Sequence, residues 1–223
     1  MDFPVLYKGY CWKSDTWNNE FPGIQNLERS ISEAIRSGTL SLPHLIAVAK
    51  WGGLPNIGRI KAESPIKLPL YREGRLDEWV RKGPENVIRI LEGQIRGFGP
   101  TYTSKVLRFA APEIFGAIDT RIVRVFGKNR TCLGKNYLLD LKATPVDGRW
   151  AILSGQSGWP GEYGSWIKVL TYISTHLNEN CIHCPHPGIF EKSGLRSGGN
   201  WLNADVEMAL FNYATRTIRK LGA

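Results

Sequence analysis

Two helical stripes separated by a Gly-Phe-Gly corner constrain this chain more than any other feature of its sequence. Val87, Ile88, Leu91 and Ile95 recur at helical spacing and halt at Gly97-Phe98-Gly99. Pro100 then opens a second helix, where its missing N–H would have had no partner anyway, and Val106, Leu107 and Ala110 supply that helix's buried face. Two helices joined by a glycine corner are the predicted result. The chain turns again after Pro112, and Asp119 stands where an N-cap belongs, able to accept the free N–H groups of a helix over Thr120 to Phe126.

Most of the remaining pattern is helical too. Ile24 to Gly38 carries Leu27, Ile31, Ala34 and Ile35 on one face, with Gly38 as its stop. Ser41 and Pro43 predict a short helix that ends at Gly52-Gly53, and Pro55, Pro65 and Pro69 predict an irregular strap from Leu54 to Gly74. Arg75 to Arg81 reads as a helical piece broken by Gly83-Pro84. Trp166, Leu170, Ile173 and Leu177 form the clearest amphipathic stripe. A last helix is predicted from Ala204 to about Lys220, with Asn203 as its cap and Val206, Leu210, Tyr213 and Leu221 facing inward. The segment from Gly127 to Gly164, rich in Gly, Pro, Asn and Asp, is expected to be mostly loop, with short pieces around Tyr137 to Leu141 and Trp150 to Leu153. The expected fold class is all-α over residues 1–223, a length with room for one domain or two tightly packed lobes.

Charge narrows the class of partner. The 29 Lys and Arg outnumber the 20 Asp and Glu, a net charge of +9 that favours polyanions. More than half of that excess falls between Gly93 and Arg130, where seven basic residues face only Glu113 and Asp119. No apolar run approaches the ~18 residues needed to span a bilayer, so no membrane partner is expected. Met1-Asp2-Phe3-Pro4 lacks the basic and then apolar layout of a secretory signal, which points to a reducing interior. The four cysteines, Cys11, Cys132, Cys181 and Cys184, are expected to be thiols.

Ile95-Arg96-Gly97-Phe98-Gly99-Pro100-Thr101, followed by Phe115-Gly116-Ala117-Ile118-Asp119-Thr120-Arg121-Ile122-Val123-Arg124-Val125, resembles the helix-hairpin-helix DNA glycosylase superfamily, endonuclease III-like. In that family a hairpin of the form L-P-G-h-G precedes a segment close to V-D-T-H-h-x-R-h by a similar distance. The resemblance covers Val87 to Gly127, with the hairpin region at 85–127. It implies the two-lobed helical glycosylase fold and a DNA N-glycosylase that excises a damaged or mispaired base in base-excision repair. The implied partner is double-stranded DNA containing such a base. The implied address is the nucleoid-bearing cytoplasm of a prokaryote or the nucleus of a eukaryote. Gly97, Phe98, Gly99 and Thr101 would grip the backbone while Arg121 and Arg124 neutralise phosphates. A non-catalytic hairpin module in a repair or defence complex is the rival reading.

The resemblance also assigns roles that chemistry can judge. Cleaving an N-glycosidic bond builds positive charge on the sugar, and a nearby carboxylate stabilises it. Asp119 matches the family's catalytic aspartate, a role compatible with its plain reading as an N-cap. Members that also cut the backbone carry a lysine where this chain has Thr101, so a monofunctional enzyme with water as nucleophile is expected. Lys105 lies one helical turn further on, as a displaced amine or as an ordinary lysine facing solvent or phosphate. Trp51 and Tyr102 are candidates for the base pocket, with Trp159 and Tyr163 as further aromatics; core packing is the alternative for each. The four-cysteine spacing of the family's iron–sulfur cluster is missing. Cys181, His183, Cys184 and His186 offer zinc ligands in principle, but lack a second pair to complete a tetrahedron. No metal and no cofactor are expected.

Overall fold

The computed structural model describes residues 1–128 and 137–220. Arg130, Cys132 and Leu221 lie outside them. The described chain is mostly helical, with ten α-helices and four two-stranded antiparallel sheets. The all-α expectation therefore holds only coarsely, because small hairpins and pairings sit between the helices.

The first helix, α1 (Phe3–Lys8), is followed by the β1–β2 pair (Cys11–Trp12 with Asp15–Thr16) and by α2 (Pro22–Arg36). Helix α2 lacks a side-chain cap of its own, since Phe21 at the N-cap is left-handed. Asp15 supplies the cap from outside: its Oδ1 accepts from Gly23 N at 2.7 Å and Ile24 N at 3.2 Å. Helix α3 (Leu42–Gly52) starts at a reciprocal cap between Ser41 and His44 and ends at left-handed Gly53, as its sequence predicts. The strap that follows contributes β3 (Lys61–Ala62) and the hairpin β4–β5 (Tyr71–Arg72 with Arg75–Leu76). Arg75 is thus in a strand and not in a helix; Glu73 and Gly74 both take positive φ and fold the chain back before α4 (Glu78–Lys82) begins.

Helices α5 (Pro84–Gln94) and α6 (Pro100–Ala110) form the corner, and α7 (Thr120–Phe126) begins at Asp119 as predicted. Between α5 and α6, Ile95 and Arg96 leave the helix as β6 and pair with β3. That pairing explains Gly97. Its φ is +87°, and a Cβ there would stand 2.8 Å from the carbonyl oxygen of Arg59. Gly99 is ordinary by comparison: its φ is −106°, and a Cβ there would have its nearest neighbour, the carbonyl oxygen of Ile152, at 3.8 Å. Gly97→Ala is expected to cost about 1–3 kcal/mol in a urea melt, whereas Gly99→Ala should cost under ~1 kcal/mol. Equal losses at both positions would contradict this account of the corner.

Beyond the undescribed segment, β7 (Ala143–Val146) and β8 (Arg149–Ile152) form a hairpin where mostly loop was expected. Asp147 and Gly148, both at positive φ, make its turn. Helix α8 (Gly161–Glu179) buries Trp166, Leu170 and Leu177, α9 (Gly188–Lys192) is short, and α10 (Asn203–Lys220) runs back against α1, α7 and α8. Asn203 bonds sideways and does not cap: its amide donates to Ile114 O at 2.6 Å and Thr171 Oγ1 at 2.8 Å. Apolar side chains from Leu6 to Ile218 pack as one continuous buried cluster.

Candidate functional site

The backbone ahead of Asp119 is clamped from two sides. Ser104 Oγ on α6 accepts from Ile118 N at 3.0 Å, while Trp166 and Tyr163 on α8 donate to the carbonyls of Ala117 and Gly116. Such tethers fix where the next side chain points. Asp119 Oδ1 accepts from Arg121 N at 3.0 Å, the capping bond, and Oδ2 lies 3.4 Å from Lys105 Nζ. The Asp119 side chain keeps 14% of its surface exposed, so it is neither sealed in nor loose at the surface.

Lys105 corrects its ordinary reading as a lysine facing solvent or phosphate. The residue is only 6% exposed, and its ammonium sits within 5.1–5.6 Å of the rings of Tyr102, Trp51 and Trp12. An ammonium out of water needs such partners: the aromatic faces and the Asp119 carboxylate replace its hydration. Gly52 makes the room, since a Cβ there would stand 2.7 Å from the Tyr102 ring and 3.4 Å from Lys105 Nζ. The Tyr102 hydroxyl donates to Gly52 O at 3.1 Å.

Asp119 and Lys105 line a narrow recess together with Tyr10, Trp12, Trp51, Arg108, Ala117, Glu207 and Phe211. Only about 10 Å³ of it is wide enough to seat a water, roughly one molecule's worth. A planar ring can enter only if Trp12, Phe211 or Arg121 moves; the Arg121 guanidinium lies 5.2 Å from the Trp12 ring and 4.8 Å from that of Phe211. Trp51 is held firmly, because its Nε1 donates to Asp15 Oδ2 at 2.6 Å, the carboxylate that caps α2. Trp12 in turn donates to Trp51 O at 2.9 Å.

Behind the recess lies a buried chain of charges. Glu28 on α2 accepts from Arg108 at 2.9 Å and from both terminal nitrogens of Arg196, at 2.8 and 3.1 Å. Arg196 also holds both oxygens of Asp205 at 2.9–3.0 Å, and His186 Nε2 reaches the same carboxylate at 3.1 Å. Burial alone would raise the Asp205 carboxyl, but Arg196 and then His186 overturn this and hold it well below the usual carboxylate range. Of Cys181, His183, Cys184 and His186, it is Cys184 and His186 that come together, beside Asp205; Cys181 is exposed. A cation on Asp205 would meet the Arg196 guanidinium that already occupies it, and burial pushes the Cys184 thiol far up.

The remaining predicted residues divide. The Phe98 ring packs 5.7 Å from Tyr102, and Arg124 stacks 4.2 Å from the exposed Trp150 of β8. Thr101 Oγ1 is buried without a hydrogen-bond partner among the described residues. Trp159 and Tyr163 belong to the core. Sequence reasoning missed Tyr10, Trp12, Arg108, Glu207 and Phe211. Arg108 and Glu207 carried a readable signal, being charged residues set inside apolar helical runs, whereas Trp12 carried none. No family model, no curated protein and no solved structure matches this chain.

Proposed function

We propose that this protein is a DNA N-glycosylase that hydrolyses the bond between a damaged or mispaired base and its sugar. The observation that carries the reading is the convergence of Asp119 and Lys105 in an aromatic recess, with Lys105 supplied by the helix that follows the Gly97–Gly99 corner. A carboxylate in that setting, partly out of water, can stabilise an oxocarbenium-like sugar and orient the attacking water. The rings of Trp12 and Trp51 line the recess and would flank a base rotated out of the duplex once Phe211 or Arg121 moves aside. The amides at the start of α6 and the nearby Arg121 and Arg124 suit the phosphates on either side. The finer fold, two helical lobes with a hairpin grip, belongs to this same reading.

One observation favours a second reading, in which Lys105 attacks the sugar carbon and the enzyme also nicks the strand. Its amine is 3.4 Å from Asp119, which could take the proton it must shed. A panel of duplexes bearing single lesions, assayed with and without hot alkali, separates the possibilities. Breaks revealed only by alkali are the expected result and mark water as nucleophile. Direct nicks, with a borohydride-trapped covalent complex that disappears in Lys105→Ala, would favour the lysine. Binding to duplex with no break under either condition would leave a non-catalytic module.

A further inference from the structure

Glu207 is a carboxyl in the recess that the glycosylase scheme leaves unused. It comes from α10, and its stem packs against Gly116, where a Cβ would stand 2.9 Å from its own. Its close polar contact among the described residues is long: Oε2 lies 3.5 Å from Arg108 Nε, while Arg108 spends its shorter bond, 2.9 Å, on Glu28. The side chain keeps 7% of its surface, and it lines the recess with Asp119. The two carboxyls are differently engaged. Asp119 is held by a helix amide and an ammonium, and Glu207 only weakly by one guanidinium.

Resting on the glycosylase reading, we propose that Glu207 is a second catalytic residue that protonates the departing base, and that the recess therefore serves uncharged bases and not cationic alkylated ones. As the bond from C1′ to the base nitrogen breaks, its electron pair stays with the base. The Glu207 carboxyl gives its proton to a ring nitrogen or exocyclic oxygen of that base, which leaves neutral. Water oxygen bonds to C1′, the water's proton passes through Asp119 to solvent, and Glu207 is reprotonated from solvent. A base already carrying positive charge needs no such proton.

The charge environment fits the donor role. Burial pushes the Glu207 carboxyl up, Arg108 opposes this, Asp119 pushes further and Lys105 opposes, leaving it at about 7. Tyr10 and Tyr163 are the other titratable groups that feel its charge, and burial raises both far above neutrality. An acid so placed is protonated in good part at neutral pH and loses its proton just above it.

The test is single-turnover excision from pH 5.5 to 9. One duplex carries an uncharged lesion that the wild type excises, from among uracil, hypoxanthine and 8-oxoguanine, and another carries cationic 7-methylguanine. The wild-type rate on the uncharged base is expected to fall about tenfold per pH unit above roughly 7. Glu207→Gln should lower that rate at least about a hundredfold and flatten the fall, with duplex affinity within about threefold of wild type. The wild type should excise 7-methylguanine poorly. Excision by Glu207→Gln at the wild-type rate, or equal losses on both substrates, would overturn the proposal while leaving the glycosylase reading intact. If Glu207→Gln does not fold, the wild type decides alone: a rate flat from pH 6 to 8.5 overturns the donor role. A wild type that excises no base from any duplex removes the underlying reading and this proposal with it.

Discussion

Asp119→Asn is expected to lower base excision from duplex DNA at least about a hundredfold while duplex affinity stays within a few-fold of wild type. Asparagine caps helices about as well as aspartate, so the bond to Arg121 N and the start of α7 survive the change. On the proposed mechanism, what disappears is the negative charge that would face the sugar. Losing one preorganised electrostatic partner of a transition state costs about 10²–10³ in rate. Here the loss is compounded, because the Lys105 amine 3.4 Å away loses its nearest carboxylate and would turn the local field against a cationic sugar. Single-turnover rates and a binding titration on the same duplex check both halves. An Asp119→Asn protein as fast as wild type would end the catalytic account, whatever its affinity.

The second large effect concerns the buried charges. Arg196→Met should destabilise the protein by about 3–5 kcal/mol, because it strands Glu28 and Asp205, both at most 1% exposed, without their shared guanidinium. For a chain of this size each kcal/mol lowers Tm by roughly 2–4 °C, so a drop of roughly 6–20 °C is expected in a thermal melt. A Tm within a degree or two of wild type would mean that the network contributes little.

The two buried carboxyls on α10 should also give opposite pH signatures. Asp205 is held below its ordinary value of 3.8, so its contribution is complete above that pH and is lost as pH falls through and below it. Glu207 is held above its ordinary value of 4.5, so its contribution is complete below 4.5 and is lost as pH rises through about 7. Stability against denaturant should therefore decline on both sides of mildly acidic pH. Removing Glu207 as Gln should erase the upper decline alone.

What could be read from the amino acids alone followed a physical rule. Local signals with a local cause were legible: Asp119 before Thr120, Ser41 before Leu42, and the glycines that end α2 and α3 all act on backbone groups within a few positions. The hairpin over residues 143–152 was legible in principle, since Asp147-Gly148 is a strong turn signal, but Pro145 interrupts the alternation that should flank it. The partners of the buried charges were not legible, even where a charge inside an apolar run, as at Arg108 and Glu207, signalled its burial. Periodicity says which face of α6 or α10 turns inward, but not that Arg108 will meet Glu28 eighty positions away. Lys105 shows the same limit, because its partners come from β1, α3 and the start of α7.

The walls of the recess come from widely separated parts of the chain, with Tyr10 and Trp12 from before α2 packed against Phe211 of α10. During synthesis, then, the cleft has no floor until residue 211 has emerged from the ribosome and α10 has docked. A growing polypeptide can form its glycine corner, which needs only the pairing of β3 with β6, well before the Asp119–Lys105 pair gains the walls that enclose it.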